Sequence, residues 1–196
     1  MNMDEIKIPL QSVKKTIGFE NIPSTQTLAK ELALQGEEEG TLVLAVRQSA
    51  ARGRYERIFS AEDGGVYFTL ILRPNKSAEA NALLSRRVGL AVAETLSEAY
   101  GIKTKIKEPN DVLAWDAKTR KWKKICGILI ESSLAGEKQN YLLVGVGINV
   151  NNRLPSSLKD SAVTLKQLIG AETIKEVVLE ETLERFWKHY ACWLLS

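Results

Sequence analysis

Apolar residues along this chain keep two periods, and the changes from one to the other mark out the elements. After Ser24, which is suited to capping, Leu28, Leu32 and Ala33 share a face and Gly36 follows, which predicts a helix over about 25–35. A short apolar run over 41–46 reads as a buried strand, and 66–72, ended by Pro74, reads as a second. Between them, 47–64 is polar, glycine-bearing and rich in arginine, and reads as a loop. Leu84, Val88, Ala91, Val92, Thr95 and Ala99 recur at helical spacing before Gly101, which predicts the longest helical pattern at 78–100. Strands are expected at 104–106, at 112–115 and 125–131 with a polar connection over 116–123, and at 141–150, whose near-continuous apolar character makes it central. A short helix over 161–169 and a last helix over about 174–194 complete the pattern. The latter carries Leu179, Leu183, Phe186, Tyr190 and Trp193. Strands and helices do not alternate strictly. The expected fold class is therefore α+β, a mixed sheet with flanking helices, rather than a doubly wound fold.

Composition narrows the classes without choosing among them. With 196 residues the chain suits a single domain with an ample core. A net charge of +3, spread along the sequence, is too weak to argue for nucleic acid. Two cysteines without a C-x-x-C pattern give neither a disulfide framework nor a zinc site, and fit a reducing cytoplasm. There is no signal-like apolar segment and no run of 18 apolar residues, so neither secretion nor a membrane span is expected. The one histidine, His189, falls within the last helix and reads as structural. With a single histidine, a Ser-His-Asp triad is disfavoured.

Five segments could carry chemistry. Arg52 and Arg54 flank Gly53 in the 47–64 loop, and Arg57 follows. Guanidinium groups grip phosphate or carboxylate bidentately, while the same run also reads as a plain basic loop or an RNA contact. In Lys107-Glu108-Pro109-Asn110-Asp111, an amide and a carboxylate follow a proline turn. Lys124 opens an apolar strand in which Gly127 leaves space on the sheet surface, and a lysine there can stabilise charge on a phosphate. Gly145 and Gly147 lie in an apolar strand and suit a flat ligand against the sheet. A dinucleotide fingerprint is rejected because its third glycine is absent and Asn151, Asn152 and Pro155 follow instead of a helix. Ser24-Thr25-Gln26 places hydroxyls at a helix start, which is either a polar cup or ordinary capping.

The order and spacing of these segments resemble the catalytic domain of biotin protein ligases over about residues 17–190. The series is Ser-Thr-Gln; Gln48 with Ala-Arg-Gly-Arg; Gly-Gly-Val-Tyr-Phe-Thr; Lys-Glu-Pro-Asn-Asp; Lys-Ile-Cys-Gly-Ile-Leu-Ile-Glu; and Gly-Val-Gly-Ile-Asn-Val. The resemblance implies a fold related to class II aminoacyl-tRNA synthetases and the activation of biotin with ATP to biotinyl-5'-AMP. Transfer to a lysine of a biotin carboxyl carrier protein would follow. Carried over by motif, Ser24, Thr25, Gln48, Gly53, Gly127, Leu129, Gly145 and Gly147 would bind biotin. Lys124, Arg54 and Arg52 would be catalytic, and Phe59, Lys107, Asn110, Asp111 and Asn149 would serve the nucleotide. Mg²⁺ would act without a dedicated protein site, near Asp111.

The family pattern has glycine at Ala51 and Glu56, tryptophan at Phe59 and Glu108, and asparagine at Gln26, and the connection from Asp111 to Lys124 is longer than usual. No helix-turn-helix domain fits before residue 20, so no DNA binding is expected, and the small β-barrel that commonly follows the catalytic domain is not expected either. Pairing through sheet edges is common in the family and leaves a homodimer open. A lipoate or octanoate ligase on the same fold, or a catalytically weak biotin-binding module, are the alternative readings.

Overall fold

The computed structural model describes residues 5–6, 10–53, 59–135 and 138–196. Eight strands form one mixed sheet: β1 (Glu5–Ile6), β2 (Lys15–Ile22), β3 (Thr41–Gln48), β4 (Val66–Leu72), β5 (Thr104–Lys107), β6 (Asp111–Asp116), β7 (Lys121–Ala135) and β8 (Lys138–Ile148). Their order across the sheet is β1-β2-β3-β4-β8-β7-β6-β5. Only β2 and β3 run parallel; every other neighbouring pair is antiparallel. Helices α1 (Thr25–Leu34), α2 (Asn81–Tyr100), α3 (Leu165–Ile169) and α4 (Lys175–Leu195) flank it.

Strand alternation assigns the two faces of the sheet. Leu142, Val144, Val146 and Ile148 of β8 join Phe68 and Leu70 of β4 in the larger core, which α2 and α4 close with Leu84, Val88, Leu183, Phe186 and Trp193. Tyr141 and Leu143, with Ile71, Val43 and Phe19, face the other way and pack on Ala29 and Ala33 of α1. The helix α1 is short and covers only part of this second face. Beyond its first residues the sheet surface is left open, and the site lies there.

The expected α+β class holds, and most elements fall near their predicted positions. Two corrections matter. The strands β1 and β2 have no counterpart in the sequence-based expectation. In β2, Phe19 and Ile22 are both buried on the α1 side, three residues apart, so the hydrophobic pattern loses its two-residue period. The helix expected over 161–169 shrinks to Leu165–Ile169, because Thr164 caps it through a reciprocal box with Gln167. The residues before it run alongside β7 instead. Lys124 N–H donates to Ser161 C=O at 2.8 Å, and Val163 N–H donates to Lys124 C=O at 2.9 Å.

The hairpin that joins β6 to β7 is held by Asp116. Its carboxylate accepts from Lys118 N–H at 3.0 Å and Thr119 Oγ1 at 2.7 Å, and it meets Lys123 Nζ at 3.0 Å. Burial pushes its pKa up, but these hydrogen bonds and Lys123 outweigh that and hold it at about 2. The folded value lies below the ordinary carboxylate value. Asp116 therefore contributes stability above pH ~4 that is lost as pH falls toward 2. Asp116→Ala removes the partner of Lys123 and the hydrogen bonds of the turn, and is expected to cost ~1–3 kcal/mol in urea denaturation at pH 7, with a smaller difference between the two proteins near pH 2. An equal difference at both pH values contradicts this.

Candidate functional site

Two cavities open on the uncovered sheet face and meet. The first, about 420 Å³, runs from the start of α1 across β4, β8 and β7 to the turn before β6. The second, about 370 Å³, lies over β6 and β7 and reaches the segment 154–162. Phe59, Lys107, Asp111 and Lys124 line both.

Glycines make the floor. Across β4, β8 and β7, Thr69 stands opposite Gly145 and Gly145 opposite Leu129; on the next rung, Tyr67 stands opposite Gly147 and Gly147 opposite Gly127. A Cβ on Gly147 would fall 2.8 Å from the Phe59 ring, and one on Gly145 would fall 2.5 Å from Gln26 Oε1. Both values are below any real contact, so these side chains occupy space that only glycine leaves. Gly145 and Gly147 of β8 and Asn149 just past its end line the cavities in turn and define a track of about 13 Å.

One end of the track is polar and buried. Ser24, Thr25, Gln26 and Thr69 are each at most 4% exposed. Pro23 and Ser24 leave the strand β2, and Ser24 caps α1 by accepting from Thr27 N–H, so the helix begins at the sheet surface. Gln48, at the end of β3, accepts at Oε1 from Thr25 N–H at 2.7 Å and from Thr25 Oγ1 at 3.2 Å. Thr69 Oγ1 lies 2.9 Å from Thr25 Oγ1 and 3.1 Å from Gln26 Oε1, and its single proton is within reach of either. The four side chains of Thr25, Gln26, Gln48 and Thr69 thus form one connected network.

At the middle of the track stands a charge pair. Lys124 Nζ lies 2.6 Å from Asp111 Oδ1, with the two side chains 33% and 21% exposed, and 5.7 Å from the centre of the Phe59 ring. Lys124 reaches this face through a β-bulge. Asp111 pairs with Gly127, Val112 with Cys126 and Leu113 with Lys124, so Ile125 is the extra residue. Strict alternation would have sent Lys124 to the side of Cys126 and Ile128, into the core. Instead Ile125 and Cys126 both enter the core, and the parity resets at Lys124. Burial pushes the Cys126 thiol up to about 12, so the neighbouring cysteine is inert beside the site.

Of the residues singled out from sequence, Ser24, Thr25, Gln48, Arg52, Gly53, Phe59, Lys107, Asn110, Asp111, Lys124, Gly127, Leu129, Gly145 and Gly147 all line the first cavity, and Asn149 lines the second. Arg54 lies outside the described residues, as does Arg57. Asn110, expected on the nucleotide side, lines the first cavity rather than the second, and its Nδ2 donates to Ile128 C=O at 3.0 Å across the β6–β7 ladder. Asn149 accepts at Oδ1 from Asn152 Nδ2 at 3.1 Å and is buried. His189 lies away from both cavities and joins α4 to α2 through Glu94 at 2.9 Å. Sequence reasoning missed Thr69 and Trp122. A lone hydroxyl in the buried run of β4 was the signal for the first; the strand end before Lys124 hid the second.

Residues 18–149 match the family model of biotin/lipoate A/B protein ligases. The chain belongs to that family. Among curated ligases, it is 39% identical over 173 residues to the bifunctional ligase/repressor BirA of Bacillus subtilis, covering 86% of this chain and 51% of that protein. It is 34% identical over 172 residues to the biotin–[acetyl-CoA-carboxylase] ligase of Paracoccus denitrificans, covering 87% of this chain and 69% of the relative. The chain thus spans about half the length of the Bacillus relatives. Among solved ligases, the biotin protein ligase of Aquifex aeolicus in complex with biotin and ATP aligns with a TM-score of 0.75 at 33% identity, over 91% of this chain and 71% of that one. The mixed sheet with flanking helices is the fold of these ligases.

The two glycines over the polar end and the junction should differ in tolerance. Gly145→Ala drives a Cβ into a buried, hydrogen-bonded glutamine and is expected to cost ~1–3 kcal/mol of stability. Gly127→Ala meets the tip of Lys124, at 3.0 Å, and the edge of the Phe59 ring, at 3.2 Å; both can give by a few tenths of an ångström, and the expected cost is less than ~1 kcal/mol. Parallel urea melts check the ranking, and a reversed order contradicts it.

Proposed function

We propose that this chain activates biotin with ATP to biotinyl-5'-AMP and passes the biotinyl group to a lysine of a biotin carboxyl carrier protein, in the cytoplasm. The observation that carries this reading is the linear site: a polar buried end, a cationic middle and a second cavity, in that order along one strand. A vitamin head, a carboxylate joined to a phosphate, and a nucleoside require the same order.

The bicyclic head of biotin lies over Gly145, where Ser24, Thr25, Gln26, Gln48 and Thr69 offer hydrogen bonds to its cyclic urea. Gln26 Nε2 is buried there without a hydrogen-bond partner among the described residues; a lipoyl or octanoyl group has no carbonyl to offer it, and one such donor left unpaired costs about 1–3 kcal/mol. This weighs against the lipoate alternative. The valeryl tail runs along the first cavity beside Phe59, whose ring stands on Gly147, and its carboxylate reaches Lys124.

In the first step a carboxylate oxygen of biotin attacks the α-phosphorus of ATP. The bond from that phosphorus to the β-bridging oxygen breaks, and pyrophosphate leaves. Negative charge grows on the phosphate oxygens, and Lys124 is placed to meet it by exchanging its contact with Asp111 for one with phosphate. Arg52, which lines the first cavity, supplies further positive charge, and Arg54 is the second guanidinium that the motif contributes. In the second step a neutral lysine amine of the carrier attacks the carbonyl carbon of the mixed anhydride. AMP departs, the amine loses its proton, and an amide remains. No enzyme nucleophile takes part.

Magnesium fits this site as a companion of the nucleotide. Among the described residues no three His, Cys, Asp or Glu side chains converge. An ion bound through the phosphates would find Asp111 as its nearby carboxylate, which is how Mg²⁺ is commonly held. Among the same residues no helix is long and apolar enough to cross a membrane.

Biotin-dependent exchange of pyrophosphate into ATP tests the reading. The chain should catalyse it, and Lys124→Ala should lower the rate by about 10²-fold or more while leaving the protein folded. No exchange at any biotin concentration refutes the activity. Unchanged exchange in Lys124→Ala refutes the role of the lysine.

A further inference from the structure

The second cavity contains an aromatic surface that none of the motifs carries. Trp122 precedes Lys124 by two residues on β7, and both line this cavity. The indole is partly buried and packs edge-on against Trp115, its cross-strand partner, with ring centres 5.4 Å apart and planes at 63°. Lys105 Nζ lies 4.4 Å from the Trp122 ring centre. Indole, hairpin and strand β5 thus hold the ring in a fixed place.

The chemistry of the cavity changes along its length. Lys107, Asp111 and Lys124 sit at the end shared with the first cavity. Away from that end the walls are neutral or apolar, with Leu113, Trp122, Leu154, Leu158 and Ala162. A ligand that fits must be charged at one end and flat and largely apolar at the other. A nucleotide with its phosphates at Lys124 meets that description, and its base then lies over Trp122. Two residues of strand separate the lysine from the indole, about 7 Å, a spacing suited to the distance from an α-phosphate to its base. Phe59 is placed differently. Its ring lies against Gly147, edge-on to Tyr67 at 6.1 Å, at the junction of the two cavities.

We propose that Trp122 is the stacking platform for the purine of the nucleotide and sets the affinity for ATP, whereas Phe59 covers the junction. This rests on the ligase reading above and adds a residue to it. Stacking of a base on an aromatic side chain follows ring area and is lost when the ring is removed.

The test is a comparison of Trp122→Ala and Trp122→Phe with the parent protein. In pyrophosphate exchange, Trp122→Ala should raise the KM for ATP tenfold or more, with kcat changed less than threefold. Trp122→Phe, which keeps a ring, should recover most of the loss. Biotin affinity by calorimetry should stay within twofold in both variants, since the first cavity does not include this residue. Addition of ATP should also quench the tryptophan fluorescence of the parent and not that of Trp122→Phe. An ATP KM unchanged in Trp122→Ala, or a parallel loss of biotin affinity that marks a merely structural role, overturns the proposal. The fluorescence titration needs no turnover. A parent protein that binds ATP with quenching but shows no exchange would sink the ligase reading and leave the platform standing.

Discussion

One extra residue in β7 sets the site. Ile125 interrupts the alternation of β7, so that Gly127 and Leu129 beyond it and Lys124 before it all stand on the cavity face. The cost of that local irregularity is small because both Ile125 and Cys126 are fully buried against the helical layer. The consequence is large. An ammonium group stands beside the carboxylate of Asp111 on an open sheet surface instead of in a hydrocarbon core. The backbone of Lys124 is fixed from its other side by Ser161 and Val163, so the bulge is clamped between the β6 ladder and a following segment. A charge whose position is set by strand geometry on both sides needs little reorganisation when charge develops on a ligand.

The remainder of the site is a matter of what the sheet leaves bare. Helix α2 and helix α4 seal one face with a continuous aliphatic and aromatic layer, including the stacked rings of Phe186, Tyr190 and Trp193. The opposite face receives only α1, ten residues long. Where α1 starts, its capping serine and first two residues become the polar end of a cavity, and where it is absent three glycines leave a smooth floor. Stability and binding are therefore carried by different faces of one sheet, and a ligand can enter without disturbing the main core.

Much of this could be read from the residues alone, for identifiable reasons. Helical periods in α2 and α4 are long and regular, and the apolar run of β8 is interior because it has neighbours on both sides. The described motif residues between Ser24 and Asn149 line two adjoining cavities, and Arg54 lies outside the described residues. Three features were not legible. The strand β2 buries Phe19 and Ile22 out of phase, so it looks like neither period. The bulge at Ile125 depends on the partner strand and leaves no mark in the apolar run Ile-Cys-Gly-Ile-Leu-Ile. Trp122 sits in what reads as a polar connection, and only the hairpin register shows that it shares a face with Lys124. The helix start at Leu165, by contrast, was marked by Thr164 and Gln167 and could have been placed from sequence.

The central claim is that a vitamin and a nucleotide lie end to end along β8, with their junction at the bulge-positioned lysine. A crystal structure with a non-hydrolysable analogue of biotinyl-5'-AMP tests it most directly. The bicyclic head should lie over Gly145, the linkage within hydrogen-bonding reach of Lys124 Nζ, and the adenosine in the cavity beyond Asn149. A ligand bound in the opposite sense, or a linkage remote from Lys124 with the contact to Asp111 intact, would contradict the account.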